Sequence, residues 1–480
     1  MNRLTLGFDL GTSAVKASLY DVDRGEVVAQ ATEPEVGELP LSAPQPGWAE
    51  QDPEDWVAAA GRAWERIRPV AQAQGEVVAI GIAYQMHGLV TLDEACRPLR
   101  PAIIWCDGRA VDAGRVLQGR IDPSDRGRLA NPVGNLTAAK LTWVAASEPE
   151  FWVELAGFCL PGDYLALRLS GELTTTPTGW SEMVMWDYLA ANPAYFVLDA
   201  LGLDSEFAPQ SRPTMGVQSL VSGELAQAWG LPEGIPISYR AGDQPNNAWA
   251  VGANEPGMAA ASAGTSGVIY AVTDALPTSI SSRVNTFLHV TDKGGRPRLG
   301  RLMCLNGCGS AYRWLRDALG VTSFDELNSL AAQAPVGSEG VRFYPFGNGA
   351  ERILDDNDVG AMWHGLRFAT HGRAHLARSV MEGIAGAFAY GLELMETHPQ
   401  TLRVGDNSLF RSARFTQILA DTLGAAIDVV DTDGAAGAAR GAAAGLGLPI
   451  IWPEVIRRVE PSREGAEFYS GWRARLPETP

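Results

Sequence analysis

The chain has no apolar run approaching the roughly 20 residues of a membrane-spanning helix. It also lacks a CxxC pair, a GxxxxGK[ST] string and any Gly/Ser-rich linker. Each absence excludes something. A membrane protein built of helices is excluded first. The opening residues MNRLTLGFDL alternate and soon meet Asp9, unlike a secretory leader's unbroken apolar core, so a cytoplasmic location is expected. Five cysteines, at 96, 106, 159, 304 and 308, are an odd number without metal-ligand spacing, and reduced thiols are expected rather than a disulfide framework or zinc site. Basic residues are the scarce charge. Against 56 Asp and Glu stand 38 Lys and Arg, a net charge of -18 with no basic cluster, which repels a phosphate backbone or an anionic bilayer. Neither nucleic acid nor a membrane is an expected partner.

What is present is a folding chain of 480 residues, 46% hydrophobic and 20% charged, long enough for two domains. One short string recurs. Gly11-Thr12-Ser13 lies within LTLGFDLGTSAVKASLYD and Gly264-Thr265-Ser266 within MAAASAGTSGVIYAVTD. Strand-like flanks make each a hairpin turn, and the repetition predicts two halves, residues 1–238 and 239–480. Alignment of the two turns sets Asp9 against Ser262. Helical spacing over Pro53–Val70 and Ala374–Glu396, with strand spacing over Val77–Ile82 and Ala102–Trp105, predicts an α/β fold. A cleft between the halves is the expected ligand site.

Three constellations carry chemistry. Paired Gly-rich hairpins would offer backbone N–H groups and hydroxyls from Gly11, Thr12, Ser13, Gly264 and Thr265 to a polyphosphate, with Asp9 placed to hold Mg2+; a plain turn cap is the alternative for Asp9. Ala241-Gly242-Asp243-Gln244-Pro245-Asn246-Asn247 is a dense polar turn at a strand end. A kinase acting on an alcohol needs one carboxylate to orient the hydroxyl and take its proton, and Asp243 is the candidate, against a helix-capping alternative. Third, Gln85-Met86-His87-Gly88 and Trp105-Cys106-Asp107-Gly108-Arg109 each follow an apolar strand. His87 and Asp107 can hydrogen-bond a polyol while Met86 and Trp105 cover its C–H faces; a core histidine is the alternative for His87.

Taken together these strings, with Trp48-Ala49-Glu50-Gln51-Asp52-Pro53, Arg100-Pro101-Ala102-Ile103-Ile104-Trp105, Leu160-Pro161-Gly162-Asp163-Tyr164-Leu165 and the stretch from Ala361 to Glu382, resemble the FGGY carbohydrate kinases. Among them the xylulose kinases are the most similar. The resemblance implies a duplicated actin-like, ribonuclease-H-like ATPase fold, with a sugar-binding first half and a nucleotide-binding second half around a central cleft. It implies ATP and Mg2+, and transfer of the γ-phosphoryl group to the terminal hydroxyl of a ketopentose, D-xylulose giving D-xylulose 5-phosphate. In that reading Asp243 is the general base, Asp9 lies at the metal and phosphate site, Met86, His87 and Gln244 meet the sugar, and Thr265 meets phosphate.

Departures from the family pattern suggest a divergent branch. Where many members have a glycine-rich loop under adenine, the sequence reads Val404-Gly405-Asp406-Asn407-Ser408-Leu409-Phe410-Arg411-Ser412. Asn407 is expected to contact the nucleotide and Phe410 to stack on its base. Cys106 stands where Asn is common beside Asp107. Other acceptors (ribulose, a six-carbon ketose, gluconate, glycerol) stay open, as does a non-catalytic, actin-like nucleotide-binding sugar sensor. A homodimer is allowed by the sequence but not indicated by it. The histidines at 364, 371 and 375 are expected to be packing or surface residues.

Overall fold

The structure is a computed structural model that describes residues 2–462 and 466–476. Alternating apolar residues in the first segment give strand β1 (Asn2–Leu10), which turns at Gly11–Ala14 into the antiparallel β2 (Val15–Asp21) and then β3 (Glu26–Glu33). Helix α1 (Pro53–Gln74) opens on a proline, is capped by the Asp52 carboxylate and carries Glu54 and Asp55 in its first turn, all favourable at a positive helix end. It leads to β4 (Gly75–Tyr84), parallel to β1. Two later strands, β5 (Met215–Leu220) and β6 (Pro236–Gly242), complete a six-stranded sheet in the order β5-β6-β4-β1-β2-β3. The division expected after residue 238 falls inside β6, and backbone pairing keeps that whole strand with β4.

Helix α2 (Asp243–Ala250) carries the chain across to the second half. There β7 (Ala259–Ala263) and β8 (Gly267–Thr273) form the second hairpin, followed by β9 (Asn285–Leu288), β10 (Leu299–Leu305), helix α3 (Arg373–Leu394), β11 (Thr401–Gly405) and β12 (Ala426–Val430). With β13 (Val455–Val459) the second sheet has the order β9-β10-β8-β7-β11-β12-β13. The central five strands β3-β2-β1-β4-β6 and β10-β8-β7-β11-β12 repeat one topology: two antiparallel neighbours, then two parallel ones. The duplication expected from two short strings is thus a duplication of whole sheets. The expected helices at 53–70 and 374–396 correspond to α1 and α3; strand 102–105 shortens to Ala102–Ile103.

The halves exchange helices where they meet. Helix α4 (Gly434–Gly445), from the end of the second half, packs on β1, β4 and β6 of the first sheet, while α2 packs on α4 and reaches β7 and β8. Small residues permit this approach. A methyl group at Gly7 would sit 2.1 Å from the Ala435 carbonyl oxygen, and one at Gly81 would sit 2.1 Å from that of Ala438. The sequence GAAGAARGAAAG is therefore a packing surface that lets a helix lie on sheet backbone.

Candidate active site

A cavity of about 940 Å³ lies between the halves, and the two hairpins and both exchanged helices converge on it. Asp9, near the end of β1, faces Lys16 directly across the hairpin. Helix α4 begins beside it, close enough that a methyl at Gly434 would lie 2.2 Å from an Asp9 oxygen. The Asp433 carboxylate caps that helix by accepting the Ala436 N–H at 2.9 Å. Asp243 is the first residue of α2, and its carboxylate accepts from Gln244 Nε2 at 2.9 Å. The N-cap position is Gly242, one residue earlier, while the Asp243 carboxylate sits against backbone N–H groups of the first turn, its own and that of Gln244. Gly242 has its own constraint: a Cβ there would lie 2.4 Å from Met86 Cγ and 2.7 Å from Glu182 Oε2.

Charge in this cavity is crowded. Five carboxylates (Asp9, Asp243, Asp406, Asp431, Asp433) line it against two cations, Lys16 and Arg411. Burial pushes the Asp243 carboxyl up to about 7, and the Asp9 charge adds to the shift. Burial likewise holds Asp9 at about 6, with Lys16 pulling down and Asp433 pushing up. A polyanion cannot enter such a wall unaided, whereas a divalent cation is attracted to it. No group of three or more His, Cys, Asp or Glu forms a metal cage among the described residues.

On the first-half wall stand Met86, His87 and Trp105, with Gln244 beside Asp243. His87 adopts a left-handed backbone conformation (φ 61°) that turns the chain after β4. It is held at both ends: Lys140 Nζ donates to its carbonyl at 2.6 Å, and its Nδ1 lies 2.9 Å from the Glu182 carbonyl. Phe287 from the second half packs on its ring at 5.2 Å. Burial drives the imidazole down to about 3, so it is neutral. Because a carbonyl can only accept, the proton sits on Nδ1 and Nε2 carries a lone pair, which can accept a hydrogen bond from a hydroxyl. The core-histidine alternative accounts for Nδ1 only. Trp105 is 50% exposed, and its Nε1 donates to Thr12 Oγ1 at 2.9 Å.

The opposite wall carries Ser262, Gly264, Thr265 and Ser266 from the second hairpin, Gly405 from the end of β11, and Asp406, Asn407 and Ser408 from the loop after it. Nine of the expected site residues therefore meet in one cavity: Asp9, Met86, His87, Trp105, Asp243, Gln244, Gly264, Thr265 and Asn407. Five do not line it. Phe410 is fully buried against Phe415, so it belongs to the second-half core and cannot stack on a base. Asp107 is fully buried too; its carboxylate accepts from the Ala49 and Arg109 N–H groups and pairs with the Arg109 guanidinium, which leaves no free oxygen for a polyol. Gly11, Thr12 and Ser13 form the turn beyond Asp9, where the Thr12 hydroxyl is engaged by Trp105 and Gln85.

Other residues enter unannounced. Lys16 could have been found from hairpin pairing opposite Asp9. Asp433 could have been found as the N-cap of a Gly/Ala helix. Nothing local to the sequence signals that Arg411 reaches the cavity or that Glu182 lies buried under Met86 and Gly242. The three histidines singled out earlier make local contacts: His371 and His375 Nδ1 each face a backbone N–H of a nearby residue, and His364 faces Arg475. All five cysteines are free.

Comparison with known proteins shows the family and the fold. The N-terminal domain of the FGGY family of carbohydrate kinases matches residues 4–249, and its C-terminal domain matches 259–446. The chain is 34% identical to the xylulose kinase of Escherichia coli (strain K12), over 91% of this chain and 88% of that one. It is 32% identical to the xylulose kinase of Klebsiella pneumoniae at the same coverage. The crystal structure of a xylulose kinase from Rhodospirillum rubrum superposes with a TM-score of 0.88 at 26% identity, covering 98% of each chain. With two repeated sheets, an acidic cleft between them and both domain matches, the chain belongs to the FGGY family of carbohydrate kinases.

Proposed function

We propose that the chain transfers the γ-phosphoryl group of ATP to the terminal hydroxyl of D-xylulose. ATP as donor follows from membership of the kinase family; the acceptor and the residue roles rest on this site. The observation that carries the reading is that Asp243 shares one cavity with residues suited to a sugar (Met86, His87, Gln244) and with hairpin backbone and hydroxyls suited to phosphate (Gly264, Thr265, Ser266). The xylulose kinases at 34% and 32% identity support this choice of acceptor.

His87 Nε2 accepts one sugar hydroxyl and thereby fixes the ring of contacts around it, with Met86 and Trp105 covering C–H surface. Asp243 accepts the proton of the terminal hydroxyl as that oxygen bonds to phosphorus and the bond to the ADP oxygen breaks. A carboxyl poised at about 7 can both hold and release that proton at neutral pH. Asp9, with Asp433 nearby, would hold Mg2+, which supplies neutralisation of the phosphate charge. Lys16 and Arg411 face the same space, and Asn407 faces the nucleotide end.

The test is coupled ADP release with Mg-ATP against D-xylulose, L-xylulose, D-ribulose, L-ribulose, glycerol and gluconate. Preference for D-xylulose by kcat/KM is expected. Preference for another acceptor overturns the substrate, and no turnover on any of them overturns the kinase reading.

A further inference from the structure

We propose that a second cavity, at the far end of helix α2 from Asp243, binds a small phosphorylated metabolite and thereby modulates the kinase. The cavity measures about 840 Å³ and draws walls from both halves. Met215, Trp249 and Ala444 come from β5, α2 and α4; Lys293, Arg296, Arg298 and Arg403 come from the second half. Its charge is the reverse of the catalytic cleft. Four cations face it and only one carboxylate, Glu255, in a chain whose net charge is -18. A small anion without a metal is repelled by the acidic cleft and attracted here.

The lining is built rather than accidental. The loop bearing three of the cations is pinned by Asp292, whose carboxylate accepts from the Gly294 N–H at 3.2 Å and the Arg298 N–H at 2.8 Å. Glycines at φ 77° and 79° form its tip, between Lys293 and Arg296. Arg298 donates to the Asn254 carbonyl and pairs with Glu255, both at 2.7 Å; Arg296 pairs with Asp274 at 3.0 Å; Arg403 donates to the Val251 carbonyl at 3.0 Å. Lys293 makes no ion pair among the described residues. Two features ask for more than a bare anion. Asn254, a lining residue, has a buried Oδ1 without a hydrogen-bond partner, an acceptor that a sugar hydroxyl would satisfy once the side chain turns toward the cavity. Trp452, 38% exposed, stands edge-on to Trp249 at 4.6 Å and offers an indole surface to the C–H face of a sugar or to a base. The shared chemistry is a phosphate monoester on a sugar, either a sugar phosphate or a nucleoside monophosphate.

Position gives the site its consequence. Trp249 lies near the C-terminal end of α2, whose first residue is Asp243, about 9 Å away at helical rise. Arg403 lies on β11, two residues before Gly405 and the loop that lines the catalytic cavity. An occupant touching both restrains the crossing between halves and slows turnover without competing with ATP. This consequence rests on the kinase reading; binding itself does not.

The experiment is titration calorimetry in EDTA, so that phosphate cannot enter the acidic cleft with a metal, using ribose 5-phosphate, AMP and unphosphorylated ribose. Saturable one-to-one binding of a phosphorylated probe and none of ribose is expected, and whichever phosphorylated probe binds tighter identifies the source. The double variant Lys293→Glu, Arg296→Glu, both exposed, should weaken binding at least about tenfold, and Trp452→Ala should weaken it independently. Absence of binding in EDTA, or binding indifferent to the charge reversals, overturns the site. Binding in EDTA without any sugar-kinase activity in Mg2+ would overturn the kinase reading and leave the site standing. Binding without non-competitive inhibition of an active enzyme would overturn the modulation.

Discussion

Asp243 meets two demands that conflict. In the proposed role of proton acceptor it must be ionised, yet burial and the Asp9 charge hold its carboxyl at about 7. Below that pH the free enzyme lacks its base, so kcat/KM should fall about tenfold per unit on the acid side and level off above it. A profile flat between about pH 6 and pH 8, roughly one unit to either side of that value, would refute the assignment. Asp243→Asn keeps the shape and removes the acceptor; turnover should drop roughly 10²-fold or more, with a modest change in sugar KM. The same shift has a stability sign. Between the ordinary value of 3.8 and about 7 the folded carboxyl keeps a proton that the unfolded chain has lost, so stability declines as pH rises through that window, and the full cost remains above it. Asp243→Asn should therefore raise Tm by a few degrees at pH 8 and leave it nearly unchanged near pH 4, as thermal scans would read. At the sugar wall, His87→Ala removes the Nε2 acceptor and should raise sugar KM at least about tenfold while nucleotide affinity stays within about twofold. An equal loss of nucleotide binding would make His87 structural. The residue scale is also where local reading failed: Asp107 and Phe410 carry suitable chemistry, but one is spent on Arg109 and the other on the core.

Among elements, the Gly/Ala helix α4 decides most. It seats on β1 and β4 through Gly7 and Gly81, and its first residue abuts Asp9. A methyl at Gly7 would lie 2.3 Å from the Ala439 N as well as 2.1 Å from the Ala435 carbonyl, and neither backbone atom can yield without moving the helix. Gly7→Ala should cost about 1–3 kcal/mol by overpacking and also weaken Mg-ATP affinity, because the Asp433–Gly434 end shifts from Asp9. Gly119→Ala, in an exposed helix position with open space around it, should be neutral or slightly stabilising; equal effects from both would show that backbone contact at Gly7 is not the cause. The hairpins were legible because period-2 alternation and a glycine turn are local signals. That α4 crosses to the first sheet was not legible, since a run of small residues reads the same whether it meets solvent or a strand.

For the whole molecule, the cleft must open to admit substrates and close to exclude water. The halves are joined by more than the exchanged helices: Asn131 bonds both the N–H and the carbonyl of Thr286 on β9, at 2.7 and 2.6 Å, and Ser181 accepts from the Leu288 N–H at 2.8 Å. A sugar held at His87, as proposed, would lie next to this junction through Phe287. Addition of sugar should reduce the radius of gyration in small-angle scattering, and an unchanged value would count against closure. Metal dependence belongs to this scale as well. With five carboxylates facing two cations, removal of divalent metal should abolish turnover and weaken ATP binding by about tenfold or more, measured by calorimetry with and without EDTA.

The sequence by itself determined the repeated hairpins, the α/β class and the strings that identify an FGGY kinase, and it singled out Asp9 and Asp243, two of the five carboxylates that line the cavity. These depend on residue types and short spacings, which survive as written in any correct fold. Only the tertiary structure decided which of those residues reach the cleft. Packing placed Phe410 in the core and enclosed Asp107 with Arg109, brought Lys16, Arg411 and Asp433 into the cavity, and set Nδ1 of the half-buried His87 against a carbonyl 95 positions away, which fixes its neutral tautomer. Burial and its electrostatic consequences are sums over neighbours distant in the chain, and no local pattern encodes them.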